Sequence, residues 1–271
     1  MRFSIIGLGW LGEPLARFFM ERGYRVQGTT TTVEKATRLN GEGIPTFAVK
    51  FEPEADNKGL DGLFDCEVLI ITIPPARGPQ GNDTSYPLKI ASIRSLAEKA
   101  GLPKIIFISA TSVYPDLNQV ARETDPLSVA QSGHPTLLKA EEVLWKDKSY
   151  ALTVVRLGGL LGGNRIPGKW FSNKSGVVGH APVNYIHRED AIRLVDWIIS
   201  RQLWDETYNG VSPLHPWRRE VYDQNAALLG FAPPLTYESP PKTPWKEVSS
   251  EKLVSTGFSF KYEDPFTFKY E

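Results

Sequence analysis

From Arg2 to Arg156 the apolar residues fall into short unbroken runs separated by stretches of helical period. Arg2–Ile6 (RFSII) has the length of a strand, and Leu11, Leu15, Phe18 and Phe19 then recur along one helix face. That helix is predicted to begin near Trp10 or Leu11 and to end at Gly23. Tyr24–Thr30 predicts a second strand, a helix follows from about Val33, and Thr46–Phe51 predicts a third strand. Asp65–Ile73 (DCEVLIITI) is nearly continuous in apolar residues, the pattern of a strand covered on both faces. A helix over Tyr86–Ala100 is closed by Gly101 and Pro103. Lys104–Ser109 predicts another buried strand, Thr136–Lys148 a helix and Leu152–Arg156 a strand.

Strands alternating with helices at this spacing predict an α/β fold with a doubly wound parallel sheet. Beyond about Asn164 the texture changes. Eight of the 21 prolines lie beyond Val211, and the helices expected there are short. Residues 164–271 therefore read as a small irregular C-terminal lobe, interleaved with the sheet and not folding by itself, whose Trp and Phe side chains form local core.

Composition narrows the function classes. With 31 basic and 31 acidic residues the net charge is zero, which gives no electrostatic footprint for nucleic acid. No apolar run is long enough to span a bilayer, and no secretory signal is visible. The single cysteine, Cys66, excludes an intrachain disulfide and fits a reducing cytoplasm. The triplets Asn82-Asp83-Thr84 and Asn173-Lys174-Ser175 are accordingly read as chance matches to a glycosylation signal. The four histidines show no metal-ligand spacing, so no metal is expected.

The chemistry sits in IIGLGWLG. Gly7, Gly9 and Gly12 follow a strand at once and open a helix, the context in which a G-x-G-x-x-G loop cradles a dinucleotide. Gly7 permits the tight turn, Gly9 admits the pyrophosphate, and Gly12 lets helix and strand pack closely, with Trp10 and Leu11 carried between them. The helix N-terminus favours the anion. An NAD site usually has Asp or Glu about 20 residues further on, for the ribose 2′-hydroxyl. Here that window reads Gly28-Thr29-Thr30-Thr31-Thr32. Hydroxyls of Thr29, Thr30 and Thr31 can donate to a 2′-phosphate without a carboxylate's repulsion, and Arg25, Lys35 or Arg38 could add charge. The expected cofactor is NADP, with NAD as the alternative.

Several segments together resemble the extended and atypical short-chain dehydrogenase/reductase superfamily, the NAD-dependent epimerase/dehydratase group with a Rossmann fold. GLGWLG stands for its glycine loop, and ITIPPA (Ile71–Ala76) for the loop after the fourth strand. IFISATSVYP, VVRLGGLLGG, VNYIHREDAIRLV and ETYNGVSP follow in the family's order. The resemblance implies that Ile73, Pro74 and Pro75 border the cofactor. It also implies that residues 1–163 form the dinucleotide-binding domain and 164–271 the substrate lobe. The substrate would be a small hydroxylated molecule or a nucleotide sugar, handled by an oxidoreductase or epimerase. A homodimer through the helices Tyr86–Ala100 and Thr136–Lys148 is the family's habit.

The family's reaction uses a Ser or Thr and a Tyr four residues before a Lys, and this sequence lacks that set. None of the ten tyrosines has Lys at the fourth following position. Aligned on LLKAEEVL, the tyrosine falls at Gly133 or His134 and the lysine at Leu137 or Leu138, while Ala110 takes the hydroxyl's place between Ser109 and Thr111. Thr111, Tyr114 and His134 are the substitutes the sequence offers. His134 is the most chemically able of them, since an imidazole can give or take a proton, although Ser132-Gly133-His134-Pro135 also reads as a helix entry. Asp190 and His187 read as a lock between a loop and a helix start. A catalytically silent NADP-binding sensor is the alternative function. A third reading, a β-hydroxyacid dehydrogenase, would require a long helical C-terminal domain, against which the proline-rich tail argues.

Overall fold

The computed structural model describes residues 1–52, 60–76 and 83–270; Asn82 of the first triplet lies outside the described residues. Strand β1 (Arg2–Ile6) is buried after its first residue. Helix α1 (Gly12–Glu21) packs Leu15, Ala16 and Phe19 inward, and the Phe19 ring stacks on Phe3 at 4.4 Å between centroids. Each such ring contributes roughly 1.5–3 kcal/mol by leaving water. The helix ends where Gly23 turns with φ 78°, its N–H donating to the Met20 carbonyl. β2 (Arg25–Thr30) leads to α2 (Val33–Gly41), whose N-cap Thr32 accepts from the Lys35 N–H. Next come β3 (Thr46–Ala48), α3 (Asp61–Phe64) and β4 (Val68–Ile71), the last buried throughout. α4 (Tyr86–Lys99) precedes β5 (Lys104–Ala110), and β6 (Gln119–Ala121) precedes α5 (Pro135–Trp145). The remaining elements are β7 (Ala151–Leu157), β8 (Gly159–Leu161), α6 (Pro167–Trp170), β9 (Tyr185–His187), α7 (Arg188–Arg201) and β10 (Glu206–Gly210). They are followed by α8 (Arg218–Leu229), β11 (Lys246–Val248) and α9 (Glu251–Ser255).

The main sheet has seven strands in the order β10-β7-β5-β4-β1-β2-β3, the parallel, doubly wound Rossmann arrangement. Chain direction across the sheet reverses between β1 and β4, whose carboxyl ends are where such sheets bind ligands.

Three expectations need correction. β4 and β3 are shorter than their apolar runs. Glu67, before β4, accepts the Arg2 N–H at 2.6 Å, and Pro74 and Pro75 after it have no N–H for a ladder. Helix α5 starts one residue early because Pro135 suits the first helical position, and it stops at Trp145 because Lys146 is extended. The region beyond Asn164 is not limited to short helices. α7 runs 14 residues and α8 runs 12, and the prolines punctuate the loops around them.

Two compact units emerge. The first comprises Met1–Ser109, His134–Val155 and Ile198–Thr207, and the second Ala110–Gly133, Arg156–Trp197 and Tyr208–Glu271. This differs from a single division at 163/164 for a physical reason. β6 pairs in parallel with β11, which draws residues 110–133 to the C-terminal segments. In the first unit the Thr153 hydroxyl donates to the Leu203 carbonyl, and Lys148 pairs with Asp205 at 2.5 Å, which draws the stretch after α7 inward.

Candidate functional site

β1 ends at Ile6, and the chain must turn within a few residues to start α1. Gly7 does so with φ 104°, which side-chain-bearing residues rarely adopt. Gly12 opens α1 so close to that turn that a Cβ on it would lie 2.1 Å from the Gly7 carbonyl oxygen. Gly9 is different. A Cβ there would meet nothing nearer than the Gly7 oxygen at 4.0 Å, so its bare backbone faces open space at the N-terminal end of α1. The loop is held from two sides. Thr72 Oγ1 donates to the Gly7 carbonyl at 2.6 Å, and the Gly7 N–H donates to Thr29 Oγ1 at 3.1 Å.

A cleft of about 620 Å³ opens over this loop, within the usual size of a small-ligand site. Gly7, Leu8 and Gly9 line one side, Thr29–Thr32 with Lys35 another, and Ile73 and Pro74 a third. Trp10, Leu11, Gly12 and Pro75 do not line it. Leu11 is buried in the core, Gly12 is buried under the turn, and Trp10 and Pro75 are partly exposed beside it. The threonines divide by task. Thr29 is buried and holds the loop, Thr30 is buried, Thr32 caps α2, and Thr31 stands exposed.

The charges around the cleft were only partly legible. Arg25 stands at the opposite end of β2 from Thr30, beside a different cavity, because a six-residue strand separates its ends by about 16 Å. Arg38 points to Glu13 at 2.9 Å and to Glu42 at 2.9 Å. Lys35 does line the cleft and pairs with Glu13 at 3.1 Å. Glu13 also takes Arg17 at 3.0 Å. Burial alone would raise the Glu13 carboxyl, but hydrogen bonds from Arg38, Arg17 and Lys35 outweigh it and lower its pKa to about 2. Sequence reasoning missed Lys50 and Lys89. Both line the cleft, Lys50 from the chain just beyond β3 and Lys89 from α4, where it pairs with Asp83 at 3.4 Å. Lys50 falls near the end of the predicted strand Thr46–Phe51 and Lys89 in the first turn of the predicted helix Tyr86–Ala100, which was the available signal.

The resemblance puts the absent Tyr and Lys near residues 133–138, and other contacts fill that stretch and its neighbours. In the first unit, Ser109 near the end of β5 donates to the buried Glu141 carboxylate at 2.5 Å. Leu137 and Leu138, at the lysine's place, are buried in the core. His134 is the N-cap of α5, its Nδ1 accepting from the Leu137 N–H at 3.3 Å. In the second unit, Thr111 opens a buried single turn of 3₁₀ helix. Tyr114 is buried too. Its hydroxyl accepts from Arg156 at 2.9 Å and donates to Asn209 at 2.9 Å. Burial pushes its phenol up, and Arg156 and Asn209 pull it partly back. At Gly133 a Cβ would lie 2.5 Å from the Ser112 carbonyl oxygen and 2.6 Å from that of Tyr114. Backbone therefore fills the space a side chain needs. Asp190 acts as a lock. Its carboxylate, fully buried, accepts the N–H groups of Lys261 and Tyr262 at 2.7 and 2.8 Å. Burial lowers the pKa of neighbouring His187, whose ring lies 4.1 Å from that of Tyr262.

No family model matches the sequence. Protein YeeZ of Escherichia coli K12 is 33% identical over 273 residues, covering 100% of this chain and 99% of that protein. Among solved structures, UDP-glucose 4-epimerase of Thermus thermophilus in complex with NAD superposes with a TM-score of 0.79 at 17% identity, covering 99% and 97% of the two chains. A short-chain dehydrogenase/reductase superfamily protein of Agrobacterium tumefaciens with bound NAD gives 0.80 at 15% identity, covering 98% and 94%. At these identities the two structures speak for the fold alone.

Proposed function

The chain belongs to the family of protein YeeZ and has the Rossmann fold of the short-chain dehydrogenase/reductase and epimerase proteins; on that premise we propose that it binds a nicotinamide dinucleotide in the cleft over Gly7 and Gly9, with NADP preferred to NAD. The observation that carries this reading is the open backbone at Gly9, on a loop that Gly7 and Gly12 alone can form. Backbone N–H groups of the turn and the N-terminal end of α1 would receive the pyrophosphate. Lys35 and Lys50, with the exposed Thr31, would receive a 2′-phosphate, and no carboxylate follows β2 until Glu34. Ile73 and Pro74 would bound the cleft on the β4 side. The two solved relatives are named with NAD, which supports a nicotinamide cofactor of either kind.

When bound, the cofactor supplies hydride transfer to or from a small hydroxylated molecule or nucleotide sugar, the substrate class of an oxidoreductase or epimerase. Proton handling would fall to this chain's own groups, with Thr111, Tyr114 and His134 the candidates. Tyr114 is the least suited, because its hydroxyl already donates to Asn209. The second reading, binding without turnover, is favoured by Gly133, where backbone stands in the way of a tyrosine, and by the leucines in the lysine's place.

Thermal unfolding with NADPH and NADH tests the binding. NADPH at hundredfold excess over its Kd is expected to stabilise the protein by roughly 2.7 kcal/mol. Lys35→Ala should weaken NADPH about tenfold and leave NADH unchanged, since one charge-assisted contact is worth roughly 1.5–3 kcal/mol. No shift with either nucleotide at millimolar concentration refutes the site, and tighter NADH refutes the preference alone. Turnover unchanged in both His134→Ala and Thr111→Ala would remove those two as proton carriers.

A further inference from the structure

The first unit contains another cavity, one that the glycine loop does not reach. It measures about 420 Å³, at the lower end of the range for small-ligand sites. It opens at the amino ends of β1 and β2, whereas the dinucleotide cleft lies at the carboxyl ends of the same two strands. Arg25, which the sequence offers to the cofactor, lines this cavity instead.

Strand register gathers the charge. Arg2 on β1 pairs with Arg25 on β2, and Ser4 pairs with Gln27. The two arginines therefore start neighbouring strands about 4.8 Å apart, on one face of the sheet. Like charges placed opposite one another repel unless an anion answers them. Asp65 answers one of them. It takes Arg2 Nη1 at 2.6 Å and lines the cavity as well. The Arg25 guanidinium has no ion pair or hydrogen bond among the described residues. Two cations and one carboxylate leave a surplus of one positive charge at the cavity wall.

The rest of the wall is largely apolar. Phe3 and Val26, both buried, line it, and Met20 from the last turn of α1 adds an adaptable thioether. Tyr24 stands edge-on to Phe3, with ring centroids 5.3 Å apart. The Tyr24 hydroxyl, like Arg25, has no hydrogen-bond partner among the described residues. Gln27 Nε2 donates to the Ser4 hydroxyl at 3.0 Å and to the Gly62 carbonyl at 2.5 Å. Those bonds fix the amide and leave its Oε1 as an acceptor.

We propose that this cavity binds a small aromatic monoanion, with its carboxylate on Arg25 and its ring against Phe3, Val26 and Met20. A guanidinium presents forked donors that match a carboxylate, and the single surplus charge matches a single anion. An aromatic body gains from the apolar wall and from edge contact with the two rings. The cavity and the dinucleotide cleft sit at opposite ends of β2, so the site does not depend on the dinucleotide reading.

Isothermal titration without nucleotide tests it with indole-3-acetate, which offers a carboxylate for Arg25, an aromatic body, and a ring N–H for Gln27. Indole-3-acetamide removes only the charge, and acetate removes only the ring. Saturable binding of indole-3-acetate is expected, with both controls far weaker. Arg25→Gln should weaken that binding roughly tenfold, the worth of a hydrogen bond to a charged group. The chain has two methionines, Met1 and Met20, so methyl-labelled methionine places a reporter in the cavity wall of the parent protein. The Met20 resonance should shift along the same saturation curve. The proposal is overturned if indole-3-acetate does not bind at tens of millimolar, or if the amide or acetate binds as well as it does. It is also overturned if Arg25→Gln binds like the parent, or if the Met20 resonance stays in place at saturation.

Discussion

Gly133→Ala is a small change with a calculable consequence, one residue before the N-cap of helix α5. The added methyl would sit 2.5 Å from the Ser112 oxygen and 2.6 Å from the Tyr114 oxygen, where ordinary contact begins at 3.4 Å. Both obstacles are backbone, so no rotamer change relieves them. Nor can the 112–114 segment retreat easily. The Gly133 N–H and the Ser132 hydroxyl both donate to the Val113 carbonyl, at 3.2 and 2.8 Å, and Tyr114 is tied at its far end by Arg156 and Asn209. Overpacking of this kind costs about 1–3 kcal/mol. Replacing glycine by alanine returns about 0.4–1 kcal/mol by restricting the unfolded chain. Gly133 is not among the positive-φ glycines, so no backbone strain adds to the sum. A net loss of about 1–2 kcal/mol follows, roughly 2–6 °C in Tm for a chain of this size. Urea denaturation with an unchanged slope and a lowered midpoint would report it. Gly133→Ala with the stability of the parent would refute the picture of a backbone-filled site.

Two further outcomes follow from buried and charged groups. Asp190→Asn keeps the shape but leaves one of the Lys261 and Tyr262 N–H groups facing an amide instead of an acceptor; a loss of about 2–4 kcal/mol is expected in chemical denaturation, and a neutral variant would remove Asp190 as the lock. Glu13 has a folded pKa of about 2 against 4.5 in the unfolded chain, so its contribution is complete above pH 4.5 and is lost as the pH falls towards 2. Arg17 and Arg38 are well exposed, so solvent screening reduces that contribution to about 1 kcal/mol. Stability measured from pH 6 to pH 2 should fall more steeply in the parent than in Glu13→Gln, and parallel curves would refute the assignment.

The Glu13 hub also bears on cofactor preference. The cations expected to favour a 2′-phosphate are held by a carboxylate from the helix that follows the glycine loop, so Lys35 must divide its charge between Glu13 and any phosphate entering the cleft. On the NADP proposal, Glu13 therefore competes with the 2′-phosphate for Lys35.

Local pattern was enough for the frame. The apolar run Arg2–Ile6 emerges as β1 with the same ends, and α2 begins at Val33 behind a threonine cap, because strand burial and helix capping are decided by a few neighbouring residues. The glycine loop was legible for the same reason, since its steric demands lie within six positions. The tertiary structure decided everything that joins distant residues. Thr29 Oγ1 accepts the Gly7 N–H, 22 residues away, and so braces the loop from the neighbouring strand. The Tyr114 hydroxyl donates to Asn209 across 95 residues, a tie no local pattern reveals. Lys50 and Arg25 gain meaning only from what the strands and helices bring beside them. Periodicity shows which face of an element is apolar. Strand order and register determine which elements meet, and those depend on packing that no short window of sequence contains.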